Sequence, residues 1–337
     1  MSVPQVSNPT VPQLGQLERA QRKEKIWIEH ARKLLKKNEL GKGDTVAWSA
    51  FHASLQDELA DPLTCLTQLL PLFYEKAATA AMIKHGMNVL YWATEFLNPG
   101  QTPVMAFDAP LYALAKFTQW KWPETHGEDK FIAMFGGLHI EMAMWKTLGD
   151  YLEGSGWTTA LTHAGIASSG TADSFLKTSH LTRTRHAHQV TALALAKLQQ
   201  DAFLLTKGSE NEAELETWKE AMIQKSPTFH YWDTVLTMEL LGLTFIRSHR
   251  EGNFPLYVES LKALAPWFFA LDHHTYARWI PIHIRDMESL PVHILKEFEE
   301  HGHWVIHKTS NRCSIIPIDQ AQEQNNEAVK GMGVPSA

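Results

Sequence analysis

The sequence predicts a predominantly α-helical protein with a small α/β core and a large helical insertion. Three observations carry that prediction. From Trp157 to about Glu300 nearly every stretch places apolar residues at helical spacing. Between 102 and 153 the pattern changes to two short apolar runs, each followed by a helical segment. Near the end, 303–309 and 313–319 are again short runs, followed by a last helical pattern.

Residues 1–16 hold prolines and polar residues but no apolar signal core, so they read as a disordered leader. Residues 17–40 read as an amphipathic helix, with Trp27, Ala31, Leu34 and Leu35 near helical spacing and Gly41 and Gly43 closing it. Two or three helices are expected over 48–97, broken near Pro62 and Pro71, before the turn "LNPGQTP" at 97–103. "TPVMAFD" (102–108) is a buried strand ending in an acid, and "PLYALAKFTQW" (110–120) returns to helix. "DKFIAMFGG" (129–137) repeats the device, followed by the helical 138–152. Strand–helix–strand–helix suggests two parallel strands. Further helices are expected at 186–206, 211–224, 229–250 and 254–265, a hairpin at 303–319 and a closing helix at 319–330. The implied organisation is a leader (1–16), a helical region (17–97), a core from 98–153 with 301–331, a helical insertion (154–300) and a tail (332–337).

Bulk properties exclude some classes. The 337 residues are 44% hydrophobic and 20% charged, a globular composition. No stretch approaches the roughly 18 consecutive apolar residues of a membrane helix, so no membrane partner is expected. Two distant cysteines, Cys65 and Cys313, fit a reducing compartment rather than a disulfide framework, and an intracellular location is expected. The formal net charge is −6, yet residues 18–42 carry nine Lys or Arg against four Glu. Such an arm, with Arg22, Lys23, Lys33, Lys36 and Lys37, either touches phosphates or is a solvated helix face. No Walker loop, Rossmann glycine fingerprint, nucleophile elbow or zinc spacing is present, so no small-molecule cofactor is evident.

Five constellations can carry chemistry, and each has a structural alternative. Asp108 at a strand end is placed for a ligand or metal, or it caps the next helix with Pro110 in the first turn; the sequence favours the cap. His139 and Glu141 are two apart on a helix and do not face one another. Arg183 and Arg185 in "TRTRHAHQ" precede a helical pattern and either hold phosphates or pair on a solvated loop. "FALDHHTYARWIPIHIRDM" (269–287) threads Asp272, Arg278, Arg285 and Asp286 through aromatics, which predicts at least one buried carboxylate–arginine pair. Asp319 and Glu323 share a face of the closing helix.

The runs "LNPGQTPVMAFDAPLYALAKFTQWKWPETHGEDKF", "MFGGLHIEMAMWKTLGDYLEGSGW", "GTADSFLKTSHLTRTRHAHQVT", "FALDHHTYARWIPIHIRDM" and "IDQAQEQNNEAVKG" closely resemble a multicopy family of open reading frames of fish and coral genomes, over about residues 48–331. High copy number implies a mobile-element origin. More distantly, the layout resembles the RNase H-like transposases of the hAT type. That resemblance implies Asp108 as strand-end acid, His139 as helix histidine, Glu323 as late glutamate and Asp272 as a further ligand. It thus implies a site of Asp108, Asp272 and Glu323 holding Mg²⁺ or Mn²⁺ for attack on a phosphodiester. Arg183, Arg185, Lys33, Lys36 and Lys37 would then contact DNA in a nuclear setting. The sequence departs from the family at Ala109, where Gln is usual, and at Gln322, where His is usual, and no upstream strands for an RNase H sheet are seen. An incomplete RNase H-like core and a truncated or domesticated, inactive copy are the matching expectations. The alternative is a non-enzymatic helical interaction protein, the remnant of such an element.

Overall fold

A computed structural model of the chain describes residues 14–37, 41, 44–55, 64–65, 70, 78–208, 211–309 and 313–331. The first helices are α1 (Leu14–Leu35), α2 (Trp48–Ser54) and α3 (Ala80–Leu97). Then come β1 (Val104–Phe107), α4 (Ala109–Lys121), α5 (Pro123–His126), β2 (Ile132–Phe135) and α6 (Gly137–Leu152). An all-helical stretch follows: α7 (Trp157–His163), α8 (Ser169–Leu176), α9 (Leu181–Lys207), α10 (Glu212–Lys225), α11 (Pro227–Arg250), α12 (Phe254–Ala270), α13 (His274–Glu288) and α14 (Val292–His301). The chain closes with β3 (Val305–Ile306), β4 (Ile316–Pro317) and α15 (Ile318–Gly331). Helix predominates, as the period predicts. The expected breaks at Pro62 and Pro71, most of the leader and the 332–337 tail lie outside the described residues.

Two compact units are formed. One contains the described residues of 60–143 and 247–337, the other those of 12–59 and 144–246. The expected 154–300 insertion is therefore divided, and residues 247–300 belong with the strands. The physical reason is aromatic packing in the first unit. Tyr276 of α13 stacks on Phe135 of β2 at 5.3 Å, and Tyr112 of α4 stacks on the same ring at 5.0 Å.

In this first unit β1 and β2 are parallel, paired from Val104↔Ile132 to Phe107↔Phe135. α4 crosses between them, the βαβ connection that parallel strands require. β3 and β4 form an antiparallel pair, Val305↔Pro317 and Ile306↔Ile316. Among the described residues the two pairs are separate two-stranded sheets, so no continuous RNase H-type sheet is formed. The carboxylate–arginine pair of the 269–287 segment is Arg285 with Asp286, which is only part-buried; the buried cation beside it is Lys116 of α4, 1% exposed. Its Nζ lies 2.8 Å from Asp286 and 2.5 Å from Glu128, and Arg285 reaches Glu128 at 2.8 Å. Arg278 and Asp272 are exposed instead. Deeper in the unit, burial first and then the charge of Lys116 hold His283 at a pKa of about 3, so the ring is neutral, and its Nε2 shares a hydrogen bond with the Tyr257 hydroxyl at 2.6 Å.

The second unit is helical and tryptophan-rich. Trp27, Trp48, Trp145, Trp157 and Trp218 are all buried. Glu24 of α1 accepts from Trp48 Nε1 at 2.8 Å and meets His52 Nε2 at 3.0 Å, with all three side chains buried. His188 of α9 lies between Trp145 and Trp157, stacked at 4.2 and 5.1 Å, and bonds Glu239 of α11 at 2.9 Å. Buried polar groups need such partners, which explains much of the high histidine count.

Candidate functional site

The site grows from the carboxyl ends of β1 and β2, where α/β folds present ligand-binding groups. β1 delivers Asp108, half-buried, whose Oδ1 accepts the Leu111 N–H at 2.9 Å. With Pro110 in the first turn this is an N-cap of α4, the structural alternative that the sequence favoured. β2 runs into Gly136 and Gly137, and α6 starts there. Both glycines are required by close approach: a Cβ at Gly136 would overlap Asp319 Oδ2, and one at Gly137 would lie 2.5 Å from His249 Nε2.

Asp319, at the start of α15, reaches across 181 residues of sequence to cap α6. Its Oδ1 accepts the Leu138 N–H at 3.1 Å. Its Oδ2 accepts the His139 N–H at 3.1 Å and His139 Nδ1 at 2.9 Å. A carboxylate can only accept here, so Nδ1 carries a proton and Nε2 is the nitrogen left to exchange one. Asp319 is 7% exposed, whereas the His139 side chain keeps 29% of its surface. The hydrogen bond to Asp319 raises the His139 pKa, partial burial opposes it, and the charges of Asp319, Asp108 and Glu323 add to the rise. Tyr276 completes the cluster; burial first, then the charges of Asp108 and Asp319, push its hydroxyl up to about 12. The arrangement is a proton-holding imidazole in the first turn of α6, backed by a buried carboxylate.

The resemblance-based ligand set is only partly gathered. Asp108 and Glu323 both act on His139, but Glu323 is exposed on α15, one turn beyond Asp319. Asp272 sits exposed in the turn between α12 and α13 with a left-handed φ of 57°, and no contact described for the cluster involves it. Among the described residues no three His, Cys, Asp or Glu side chains are arranged to hold a metal ion. The donor set does not fit Mg²⁺ or Mn²⁺ as arranged, because both Asp319 oxygens already accept N–H groups and Asp108 caps a helix. The sequence did single out Asp319 beside Glu323, yet both faced one way and nothing local told them apart. Tyr276 belongs to the 269–287 cluster that the sequence marks, but nothing local assigns it to Asp108 and Asp319 rather than to the charges of its own segment.

Residues 47–219 and 206–333 match the family model described as "Domain of unknown function (DUF8702)". The chain belongs to that family. Every member of the strand-end cluster falls inside the matched span, as do both units in large part. No curated protein and no solved structure matches the chain.

The basic stretch of this family member lies mostly before the matched span. Arg22, Lys25, Arg32, Lys33 and Lys36 share one face of α1 at helical spacing, along a groove of about 950 Å³ in the second unit. Lys25 pairs with Glu216 at 3.3 Å and Arg32 with Glu29 at 2.5 Å. Lys37, expected on phosphates, instead bonds Asp44 at 2.8 Å and, as first cause, holds that carboxyl below its usual range. Arg22, Lys33 and Lys36 are exposed and make no ion pair among the described residues. Arg183 and Arg185 lie within the first turns of α9 rather than before it; Arg183 is exposed and Arg185 half-buried. No helix of the described residues is long and apolar enough to cross a membrane.

Proposed function

We propose that this chain is a DNA-binding interaction protein derived from a transposase-type mobile element, with its strand-end cluster acting as a helix-pinning ionic site. One observation carries the reading: Arg22, Lys33 and Lys36 stand without an ion-pair partner among the described residues along one face of α1, although the chain as a whole is acidic. Lys36 lies 14 positions after Arg22, roughly 21 Å at 1.5 Å per residue, close to the rise of about six base pairs. Flexible cations on a rigid rod suit the evenly spaced phosphates of a duplex and carry no base readout. The test is the salt dependence of duplex DNA binding by the full chain. Replacing Arg22, Lys33 and Lys36 together by alanine should flatten the log–log salt slope by about 2–3, since each phosphate contact contributes about 0.9. An unchanged slope would assign this face to solvated surface.

A second reading keeps the metal-dependent nucleic-acid enzyme, and one observation favours it: the charges of Asp108 and Glu323 do meet at the same imidazole. The two readings separate on metal response. With Asp108 and Asp319 committed to capping and Glu323 exposed, millimolar Mg²⁺ or Mn²⁺ should leave the melting temperature unchanged. A rise that Asp108→Asn removes would restore the enzyme reading, because an ion that binds only the folded state must stabilise it.

A further inference from the structure

The second unit contains an open, largely apolar cleft of about 760 Å³ bounded by α7, α9, the end of α10 and the first half of α11. We propose that it is a binding site for a compact apolar molecule bearing one amine or hydroxyl, anchored by Asp233. The volume falls within the roughly 300–1,000 Å³ of small-molecule sites. Its walls are aromatic and held from behind. Trp157 stacks on His188 at 5.1 Å and its N–H bonds Thr191 at 2.8 Å. Phe229 meets the edge of Trp218 at 5.4 Å, and Trp232 meets Tyr231 at 5.1 Å. The three rings thus rest against neighbouring rings, and a site whose walls are already in place lowers the ordering cost of binding.

The polar groups of the lining are few, and most are already satisfied. Thr191 Oγ1 bonds both Trp157 and the Ala187 carbonyl, and Ser226 Oγ accepts the Phe229 N–H. Asp233 differs. Its side chain is 15% exposed, and its Oδ1 accepts Gln199 Nε2 at 2.7 Å and lies 3.8 Å from Lys219 Nζ. Its Oδ2 takes no donor among the described contacts. Lys219 does not line this space, so a ligand in it meets the carboxylate held by Gln199, which favours a donor and disfavours an acid, because a second anion there would be desolvated against the first.

The test uses the full chain and the neutral fluorescent probe N-phenyl-1-naphthylamine, which carries a single N–H. Its fluorescence should saturate at one probe per chain. 1-Naphthylmethylamine should displace it at about tenfold lower concentration than 1-naphthoic acid, a difference of about 1.4 kcal/mol. Ala194 lines the cleft from an exposed position on α9. Ala194→Trp should therefore fill the space and weaken the probe by at least about tenfold while leaving the circular dichroism and melting temperature unchanged. Asp233→Asn should keep probe binding and erase the preference for amine over acid. Non-saturating fluorescence, a probe indifferent to Ala194→Trp, or equal displacement by the acid in the wild type would overturn the proposal. A concentration-dependent dimer that Ala194→Trp dissociates would also overturn it and assign the cleft to a second copy of the chain.

Discussion

Two histidines in this protein meet a carboxylate at the same 2.9 Å, His139 with Asp319 in one unit and His188 with Glu239 in the other. Distance alone would give them one role; their surroundings give them two. His188 and Glu239 are both wholly buried, and two tryptophans cover the imidazole. Burial raises the Glu239 pKa, and His188 opposes the rise. That pair ties α9 to α11 and has no route to a ligand. His139 keeps part of its surface, and its carboxylate also serves two backbone N–H groups. Desolvation thus fixes one pair as scaffold and leaves the other able to exchange a proton.

The largest effect should come from breaking the buried pair. Glu239→Ala strands His188 between its tryptophans and opens a cavity, and should cost about 3–5 kcal/mol, read as a shift of the urea midpoint at constant slope. A loss below about 1 kcal/mol would mean that the pair is not dry. Asp319→Ala comes next. It removes the acceptor for Leu138, His139 and the imidazole, and should cost about 1–3 kcal/mol in the same experiment. If it proves as damaging as Glu239→Ala, the exposed–buried contrast fails.

A smaller effect is the pH dependence. The folded pKa of His139 is raised, so its pairing stabilises fully below the unfolded value near 6.5 and is lost as pH rises through the folded pKa. Imidazole NMR should place the His139 titration above 6.5, and Asp319→Asn should bring it back toward that value. A midpoint already below 6.5 in the wild type would show that burial outweighs Asp319. The smallest effect is expected at Arg278. The sequence suggested a buried partner for it, but the side chain is exposed, so Arg278→Ala should stay within about 0.5 kcal/mol of wild type. A sharp drop in melting temperature would return it to the core.

Much of the architecture was legible because it is local. A change of hydrophobic period marks β1 and β2, and Asp108 followed by Pro110 announces a helix start whatever lies around it. The hairpin of β3 and β4 and the helix after it were readable on the same ground. The domain division was not, since nothing in the period of α12 and α13 says that Tyr276 stacks on Phe135 rather than on helices of the insertion. The site divides along the same line. Asp108 and His139 stood out at strand and helix ends. Asp319 could not be chosen over Glu323, because both sit on one face of one helix and differ only in what the fold brings to them.

By itself, then, the sequence determined the helical class, the parallel strand pair, the capping aspartate and the basic face of α1, all consequences of residues within a turn or two of one another. Only the tertiary structure decided which acid reaches the start of α6, which histidine is sealed between tryptophans, and that Lys116 is the buried cation beside Asp286. Those outcomes depend on desolvation and on contacts across as many as 181 residues. A charge's environment is set by everything that folds around it, and so no local pattern records it.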